Sequence, residues 1–545
     1  MPATFERLPE NPLMVRYATL VYSRPKHRKL QGGHLKRSTR LLVLLSLLFV
    51  LLPSLVLAQQ VSLTILHTND THSHLLPFSY PSAVPAGSDI AGLKAKRDIG
   101  GIARRATLVK RLKADLERRG TAVWLVDAGD FTEGTSFSTE YHGEADVAAM
   151  NAVGYSFGTL GNHEFNNPLE RLKSLIAKIS FPVLCANAIE AATGKPLVHE
   201  SAFRVVGPLK IGIFGLLTRE AGGYQAGKEG VTVSEEAAAA QRMVKSLRPQ
   251  AGIVIAISHA GEMLDQKMAR EVPGLDVIIG GHSHTRLPLG EFQWRSDELK
   301  EQDVNGTIIV QAHQWGGELG RLDLLFDKDA AGAWHVVRYR EQLIPVTSDI
   351  PEDEAVAAVV DRFWKPIASR YGAIIGQAAD DFGSRGDDLA TYNLVADLVR
   401  ETAGAEVELE NTGGIRSGLV KGKITLEDIV NLDPFDNTIV TFKATGRQIR
   451  EILMKMRPAV SGLRYRLENG QLTEFTIGGQ PVSDDRVYTG ATNSYLAERA
   501  LKGIESVNTG RIRREVIIEY IRKKGTIKPV YDGRRVVVGQ PALAQ

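Results

Sequence analysis

The sequence predicts an α/β protein with a second, smaller α+β lobe, on three observations. Short apolar runs alternate with amphipathic helical stretches from residue 61 to about 345, the pattern of a layered sheet core covered by helices. Clusters of Asp, Asn and His stand at the carboxyl ends of those runs, where open α/β sheets build their sites. A chain of 545 residues, 43% apolar, is too long for one ordinary core, and a mixed Gly-rich pattern resumes after a helical connector.

Residues 1–58 read as a signal peptide with a long basic leader. The first forty carry nine basic and two acidic residues, +7 within a whole-chain charge of +3, so the remainder is acidic by 4. The basicity belongs to the leader, and no basic face argues for a nucleic-acid polymer as partner. Leu41–Ala58 holds no charge, follows Lys36, Arg37 and Arg40, and ends with Val56 and Ala58 at the small-residue positions of a signal-peptidase cut. Export to the periplasm or beyond is expected, with the mature chain starting near Gln59. The alternative is an uncleaved signal anchor, because eighteen residues approach the ~20 that span a bilayer; that would be the one expected membrane contact.

The first lobe is expected over 59–345. Val61, Leu63 and Ile65 alternate with polar residues as a half-buried strand does. Leu108, Val109, Leu112 and Leu116 form a helical stripe, and Val123–Val126 reads as a buried strand. The alternation continues with a helix from Glu144, a strand from Tyr155, a helix from Pro168, strands near Val183 and Ile211, a helix from Ser234, and strands at Ile253–Ile257 and Val277–Ile279. The single cysteine, Cys185, lies in the apolar run Phe181–Ala186; it has no disulfide partner and is expected as a small buried hydrophobe.

A linker helix is expected within 346–372, where Val356, Val359, Val360, Phe363 and Ile367 make a stripe that Pro366 should stop. The second lobe follows over 373–530, with a helix at Asn393–Arg400, strands at Glu406–Leu409 and Arg486–Thr489, and a capping box of Thr445 and Gln448 before Ile449, Ile452, Leu453 and Met456. Residues 531–545 are expected as a tail.

Four polar clusters carry the chemistry: Asp70-Thr71-His72, Asp127-Ala128-Gly129-Asp130, Gly161-Asn162-His163-Glu164-Phe165-Asn166, and Ser258-His259 with Gly280-Gly281-His282-Ser283-His284. Asp70 and His72 stand two apart, so an extended loop would aim both to one side. Asp130 has two oxygens with which to bridge cations, Asn162 offers a carbonyl, and His259, His282 and His284 offer imidazoles. Mixed oxygen and nitrogen ligation suits Zn, Mn, Fe or Co. Two such divalent ions ~3.5–4 Å apart activate water and clamp phosphate oxygens, which implies hydrolysis of a phosphate ester. His67, His74 and His313 are not assigned as ligands. In the second lobe, Asn411-Thr412-Gly413-Gly414-Ile415-Arg416 joins turn glycines to an amide and a guanidinium; with Arg385 and Phe435 this set can hold anions and stack a base.

This order of motifs resembles the calcineurin-like metallophosphoesterases, and within them the exported 5'-nucleotidase and UDP-sugar hydrolase family, from Thr64 to about Tyr520. The resemblance implies a four-layer metallophosphatase sandwich and a C-terminal nucleotide-binding domain. It implies one metal on Asp70, His72, Asp130 and His284, a second on Asp130, Asn162, His259 and His282, and His163 against the phosphate, with Asn162 and His163 as the catalytic pair. It also carries Arg385, Asn411 and Arg416 over as nucleotide contacts, with Phe435 and Tyr495 as the two stacking faces. Two departures stand out. Asn166 replaces the Asp that pairs with the catalytic His in that family, and resembles instead the sister branch of 2',3'-cyclic-nucleotide phosphodiesterases with 3'-nucleotidase activity. Glu498-Arg499-Ala500-Leu501 replaces the Gly-Gly-Asp-Gly whose Asp binds ribose. The expected substrates are therefore nucleoside 5'-monophosphates and nucleotide sugars. Cyclic nucleotides are the alternative, and a nucleotide-binding protein of weakened catalysis is the alternative of another class.

Overall fold

The computed structural model describes residues 60–81, 92–294, 306–384 and 389–538. The predicted signal peptide and Arg385 lie outside them. In chain order the strands that build the first lobe's core are β1 (Val61–Thr68), β2 (Ala122–Asp127), β3 (Phe157–Gly158), β4 (Leu209–Leu217), β5 (Ile253–His259), β6 (Val277–Gly280), β7 (Gly306–Val310), β8 (Glu318–Lys328) and β9 (Trp334–Pro345). One sheet runs β9-β8-β1-β2-β3, with β1, β2 and β3 parallel. The other runs β7-β6-β5-β4, all parallel, with antiparallel edges at Glu291–Trp294 and Ser201–Val206.

The two-residue period of a strand splits each sheet's side chains between two interiors. Leu63 and Ile65, Ile211 and Ile213, Ile253, Ile255 and Ile257, and Leu322 and Leu324 meet between the sheets. Their neighbours face outward: Val254, Ala256 and Ile278 pack under the helices Glu236–Leu247 and Glu262–Glu271, and Leu66 and Leu125 under Ile102–Arg118 and Glu144–Val153. The result is four layers, helix, sheet, sheet, helix, each fully buried aliphatic side chain contributing about 1.5–3 kcal/mol. Cys185 is buried in the cluster outside the first sheet, and burial pushes its thiol up to about 11. The strand expected from Tyr155 shrinks to β3, because the chain turns directly into a 3-10 turn at His163–Asn166.

The connector helix Glu354–Trp364 starts on Asp353, whose carboxylate accepts from Val356 N at 3.2 Å, and stops before Pro366. In the second lobe a five-stranded sheet runs Ala459–Ser461, Val407–Glu410, Val487–Asn493, Thr438–Thr445, Glu505–Ile512. One face packs on the helices Ala390–Ala403 and Arg513–Lys524, the other on Gly446–Met456, which carries the Thr445–Gln448 capping box. The segment expected as a tail from 531 is in part a strand. Arg535–Val538 pairs in parallel with Leu463–Glu468, anchored by Arg534, whose Nη1 donates to Asp397 Oδ1 at 2.6 Å.

Candidate metal centre

Parallel strands end at one edge, so the loops after β1, β2 and β3 leave side by side. At their root Thr68 Oγ1 donates to Asp127 Oδ2 at 2.6 Å and Gly129 N to Asp127 Oδ1 at 3.0 Å. Beyond it Asp70 N donates to Gly129 O at 2.9 Å and His72 N to Asp130 O at 3.0 Å, running the first two loops in parallel. Glu164, fully buried, ties the third to the second: it accepts from Asp130 N at 3.1 Å, Thr132 N at 3.0 Å and Gly161 N at 2.6 Å. Gly161 is required by that approach, since a Cβ there would lie 2.1 Å from Asp130 Oδ1.

The entry at Asp70 is not extended. Asp70 (φ 49°), His72 (φ 46°), Asp130 (φ 53°), His282 (φ 74°) and His284 (φ 54°) all take the left-handed conformation. That costs a non-glycine residue about 1 kcal/mol, and it persists only where tertiary packing over-determines the backbone. Alternation along an extended chain therefore does not aim these side chains; the left-handed turns do.

The side chains so aimed converge. His284 Nε2 lies 3.2 Å from Asp70 Oδ1 and 3.1 Å from His72 Nε2. His259 Nε2 lies 3.1 Å from Asp130 Oδ2 and 3.2 Å from Asn162 Oδ1. Potential ligand atoms of Asp70, His72 and His284 fall within 4.8 Å of one another, as do those of Asp130, His259 and His282, and of His72, Asp130 and His163. Asp130 thus belongs to a cluster on either side, and Asp70 bonds across to the backbone of His282, whose N donates to Asp70 Oδ2 at 2.9 Å.

The donor set fits divalent metal ions. His72 Nδ1 lies 2.9 Å from Glu133 O, and His259 Nδ1 2.7 Å from Ala128 O. A carbonyl only accepts, so each Nδ1 carries the hydrogen and each Nε2 turns a lone pair toward the cluster. Burial alone would raise Asp130, but His259 and His163 beside it hold its carboxyl well below the usual range. Asp70 is likewise lowered against its burial by His284 and His259. Against the penalty of burial, Asp130 pushes His259 up to about 10, so a cation bound at its Nε2 would take the place of a proton held there by the carboxylate. Burial drives the His72 ring down, and takes His282 to about 3 and His163 to about 4. Two buried carboxylates with inward-turned imidazole lone pairs form a pocket that cations complete.

The second lobe reaches this centre. Arg416 Nη2 lies 3.0 Å from His72 Nε2, and the Phe435 ring stacks on His163 at 6.0 Å and 25°. Tyr495 carries the Arg499 guanidinium over its ring at 3.6 Å. Asn411 is engaged within its own lobe by Asn493, at 2.7 Å. Glu498 pairs with Lys228 of the first lobe at 3.1 Å. His74 stacks on Trp315 at 4.3 Å, and His67 pairs with Glu341 at 3.1 Å, so both brace the surroundings.

Three residues near the centre escaped the sequence reading. Tyr224 OH accepts from Asn162 Nδ2 at 3.2 Å, leaving the Asn162 carbonyl toward His259. Asn69 Nδ2 donates to Asp70 Oδ2 at 2.7 Å while Ala312 N donates to Asn69 Oδ1 at 2.8 Å, fixing the Asp70 carboxylate. Glu133 accepts from Asn166 Nδ2 at 2.8 Å. Tyr224 and Glu133 left no signal in the sequence, as each stands alone in an unremarkable loop; Asn69 adjoins a cluster already singled out.

Comparison with known proteins follows the same division. Residues 63–286 match the family described as calcineurin-like phosphoesterase, and residues 374–502 that described as 5'-nucleotidase, C-terminal domain. A 5'-nucleotidase of Vibrio vulnificus (strain CMCP6) is 27% identical over 526 residues, covering 85% of this chain and 91% of that protein. Protein UshA of Escherichia coli (strain K12) is 27% identical over 539 residues, covering 88% and 94%. The crystal structure of a 5'-nucleotidase precursor from Thermus thermophilus is similar at TM-score 0.76 and 27% identity, covering 88% of this chain and 100% of that one. The sulfate thiohydrolase SoxB of the same organism shares the fold, at TM-score 0.75 and 22% identity, covering 89% and 98%.

Proposed function

Because the chain joins a calcineurin-like phosphoesterase domain to a 5'-nucleotidase C-terminal domain, we propose that it is an exported two-metal phosphohydrolase releasing phosphate from nucleoside 5'-monophosphates. The observation that carries this reading is the meeting of Asp70 and Asp130 with four imidazoles and the Asn162 carbonyl at the strand ends of the two packed sheets. Asp70, His72, Asp130 and His284 are the proposed ligands of one divalent ion, and Asp130, Asn162, His259 and His282 of the other. Bound there, such ions supply positive charge to phosphate oxygens and make water nucleophilic near neutral pH.

The chain's own groups complete the reaction. His163, 4.0 Å from Asp130 through Nε2, borders the space where a phosphoryl group would sit and donates a hydrogen bond to its oxygens. Arg416 brings a guanidinium that suits two phosphate oxygens. Phe435 and Tyr495 offer rings to the nucleoside, and Asn411 steadies the turn that carries Arg416. The proposed division of labour is a catalytic lobe at 59–345, a connector at 346–372 and a substrate lobe from 373.

Protein loaded with Mn or Co should release phosphate from AMP at a rate that His163→Ala lowers by about 10²–10⁴-fold; no release above that variant's rate sinks the reading. The same assay with nucleotide sugars measures the breadth of the pocket. Asn166 supports a second reading, cleavage of 2',3'-cyclic nucleotides, since an amide beside His163 withholds the charge a carboxylate would give it. A large preference for 5'-AMP over 2',3'-cyclic AMP eliminates that second reading.

A further inference from the structure

Glu133, Asn166 and His163 form a hydrogen-bonded chain. Asn166 Nδ2 lies 2.8 Å from Glu133 Oε2 and 2.9 Å from His163 Nδ1. The amide thus turns its nitrogen, not its oxygen, toward Glu133, whose Oε2 accepts from it. That nitrogen has two hydrogens, and the second points at His163 Nδ1, which must accept it. The imidazole is thereby left with its hydrogen on Nε2, the nitrogen that faces Asp130 and the cluster. A carboxylate at position 166 would do the opposite, taking a hydrogen from Nδ1 and leaving Nε2 bare.

The backbone places Glu133 for this task. Its φ of 69° is left-handed, and in that conformation its carbonyl faces His72 Nδ1 at 2.9 Å while its side chain turns to Asn166. The same residue therefore braces a proposed metal ligand with its main chain and the proposed phosphate-contacting histidine with its side chain. Thr132 before it is held by Glu164, which accepts both its N and its Oγ1 at 3.0 Å, so the loop is not free to swing.

We propose that Glu133 is a positioning residue which, through the Asn166 amide, sets His163 as an Nε2–H donor aimed at the phosphoryl or leaving-group oxygen. The proposal rests on the reading of His163 as the residue that touches substrate. It resolves the departure at 166: the carboxyl group stands one link further out, and the amide between relays orientation instead of charge. His163 then stabilises developing charge by a hydrogen bond from a fixed tautomer.

Two measurements on the full chain test it. In zinc-loaded, ¹⁵N-histidine-labelled protein, with the His163 signals assigned by their loss in His163→Gln, the wild-type ring should carry its hydrogen on Nε2. Glu133→Ala should mix the tautomers, and Asn166→Asp should place a hydrogen on Nδ1. In manganese-loaded protein turning over AMP, Glu133→Ala should lower kcat about tenfold or more with KM within about twofold. Asn166→Asp, which sets two carboxylates face to face, should be at least as slow. The double variant Glu133→Gln with Asn166→Asp removes that repulsion but still takes the hydrogen from Nδ1, and should stay about tenfold or more below wild type in kcat. A wild-type ring protonated on Nδ1, an Asn166→Asp enzyme as fast as wild type, or a double variant as fast as wild type overturns the proposal. The tautomer is read without substrate, so a wild type inert toward AMP overturns the nucleotide reading and leaves this one to the ring nitrogens.

Discussion

At the scale of residues, the centre is organised by what surrounds its proposed ligands. His72 and His259 present their lone pairs inward because backbone carbonyls take the opposite hydrogens, and Asn162 presents its carbonyl because Tyr224 takes its amide. Gly161 matters for the atom it lacks. In Gly161→Ala the new methyl would meet Asp130 Oδ1 at 2.1 Å and Asp130 N at 2.4 Å, so the two loops must part. A shift of about 1 Å in a reacting group costs on the order of 10²-fold in rate. The variant should lose about a hundredfold in kcat in the phosphate-release assay; a wild-type rate would show that the Gly161 loop does not set the catalytic geometry.

At the scale of elements, the turn that delivers Arg416 hangs from the first residue of a helix. Arg513 is fully buried and donates to Glu410 Oε1 and Asp433 Oδ1 at 2.6 Å each, and to the Gly414 carbonyl at 3.0 Å. It thereby clasps the strand Val407–Glu410, the end of the helix Leu426–Leu432 and the turn 411–416. Replacing one partner of a buried ion cluster strands the remaining charges at a cost of about 3–5 kcal/mol. Arg513→Ala should shift the urea midpoint of the second lobe by that equivalent and raise KM with the loosened turn. A midpoint within about 0.5 kcal/mol of wild type would show that Glu410 and Asp433 relax without it.

At the scale of the whole molecule, two features link the lobes and the centre to stability. The helix Leu426–Leu432 packs across the lobes on Ser136–Tyr141, and burial pushes the Glu427 carboxyl up to about 7. In the unfolded chain the same group ionises near 4.5, so between those values the folded state holds the extra proton and stability falls as pH rises. Glu427→Gln should leave the Tm unchanged at pH 4.5 and raise it by roughly 2 °C or more at pH 8. A Tm gain equal at both values would point to packing instead of ionisation. Metal binding supplies the second link. An ion that binds only the folded chain, at a hundred times its Kd, stabilises by about 2.7 kcal/mol, so Mn or Co should raise Tm by roughly 2–5 °C. The shift should vanish in Asp130→Ala, whose carboxylate both proposed ion sites share, and a shift that survives there would place the ions elsewhere.

Local pattern was sufficient for a good part of this protein. The alternation at Val61–Ile65, the apolar strand run at Ile253–Ile257, the helical stripe at Leu108–Leu116, the Thr445–Gln448 capping box and the stop at Pro366 all depend on near neighbours in the chain, and all are written in residue order. The four polar clusters were legible for the same reason, since strand ends are local features; parallel pairing gathers them within each sheet, and the packing of the two sheets brings the two sets together. Chain order held no record of the left-handed turns at Asp70, His72, Asp130, His282 and His284, because the local preference of those residues is for the opposite hand. It held none of Tyr224 under Asn162 or Glu133 under Asn166 either, since those partners are 62 and 33 residues apart and meet only across finished loops. The sequence by itself determined which elements form and which chemical groups they carry. Tertiary packing alone decided where those groups point, because aiming a side chain against its own backbone preference takes contacts from many parts of the chain at once.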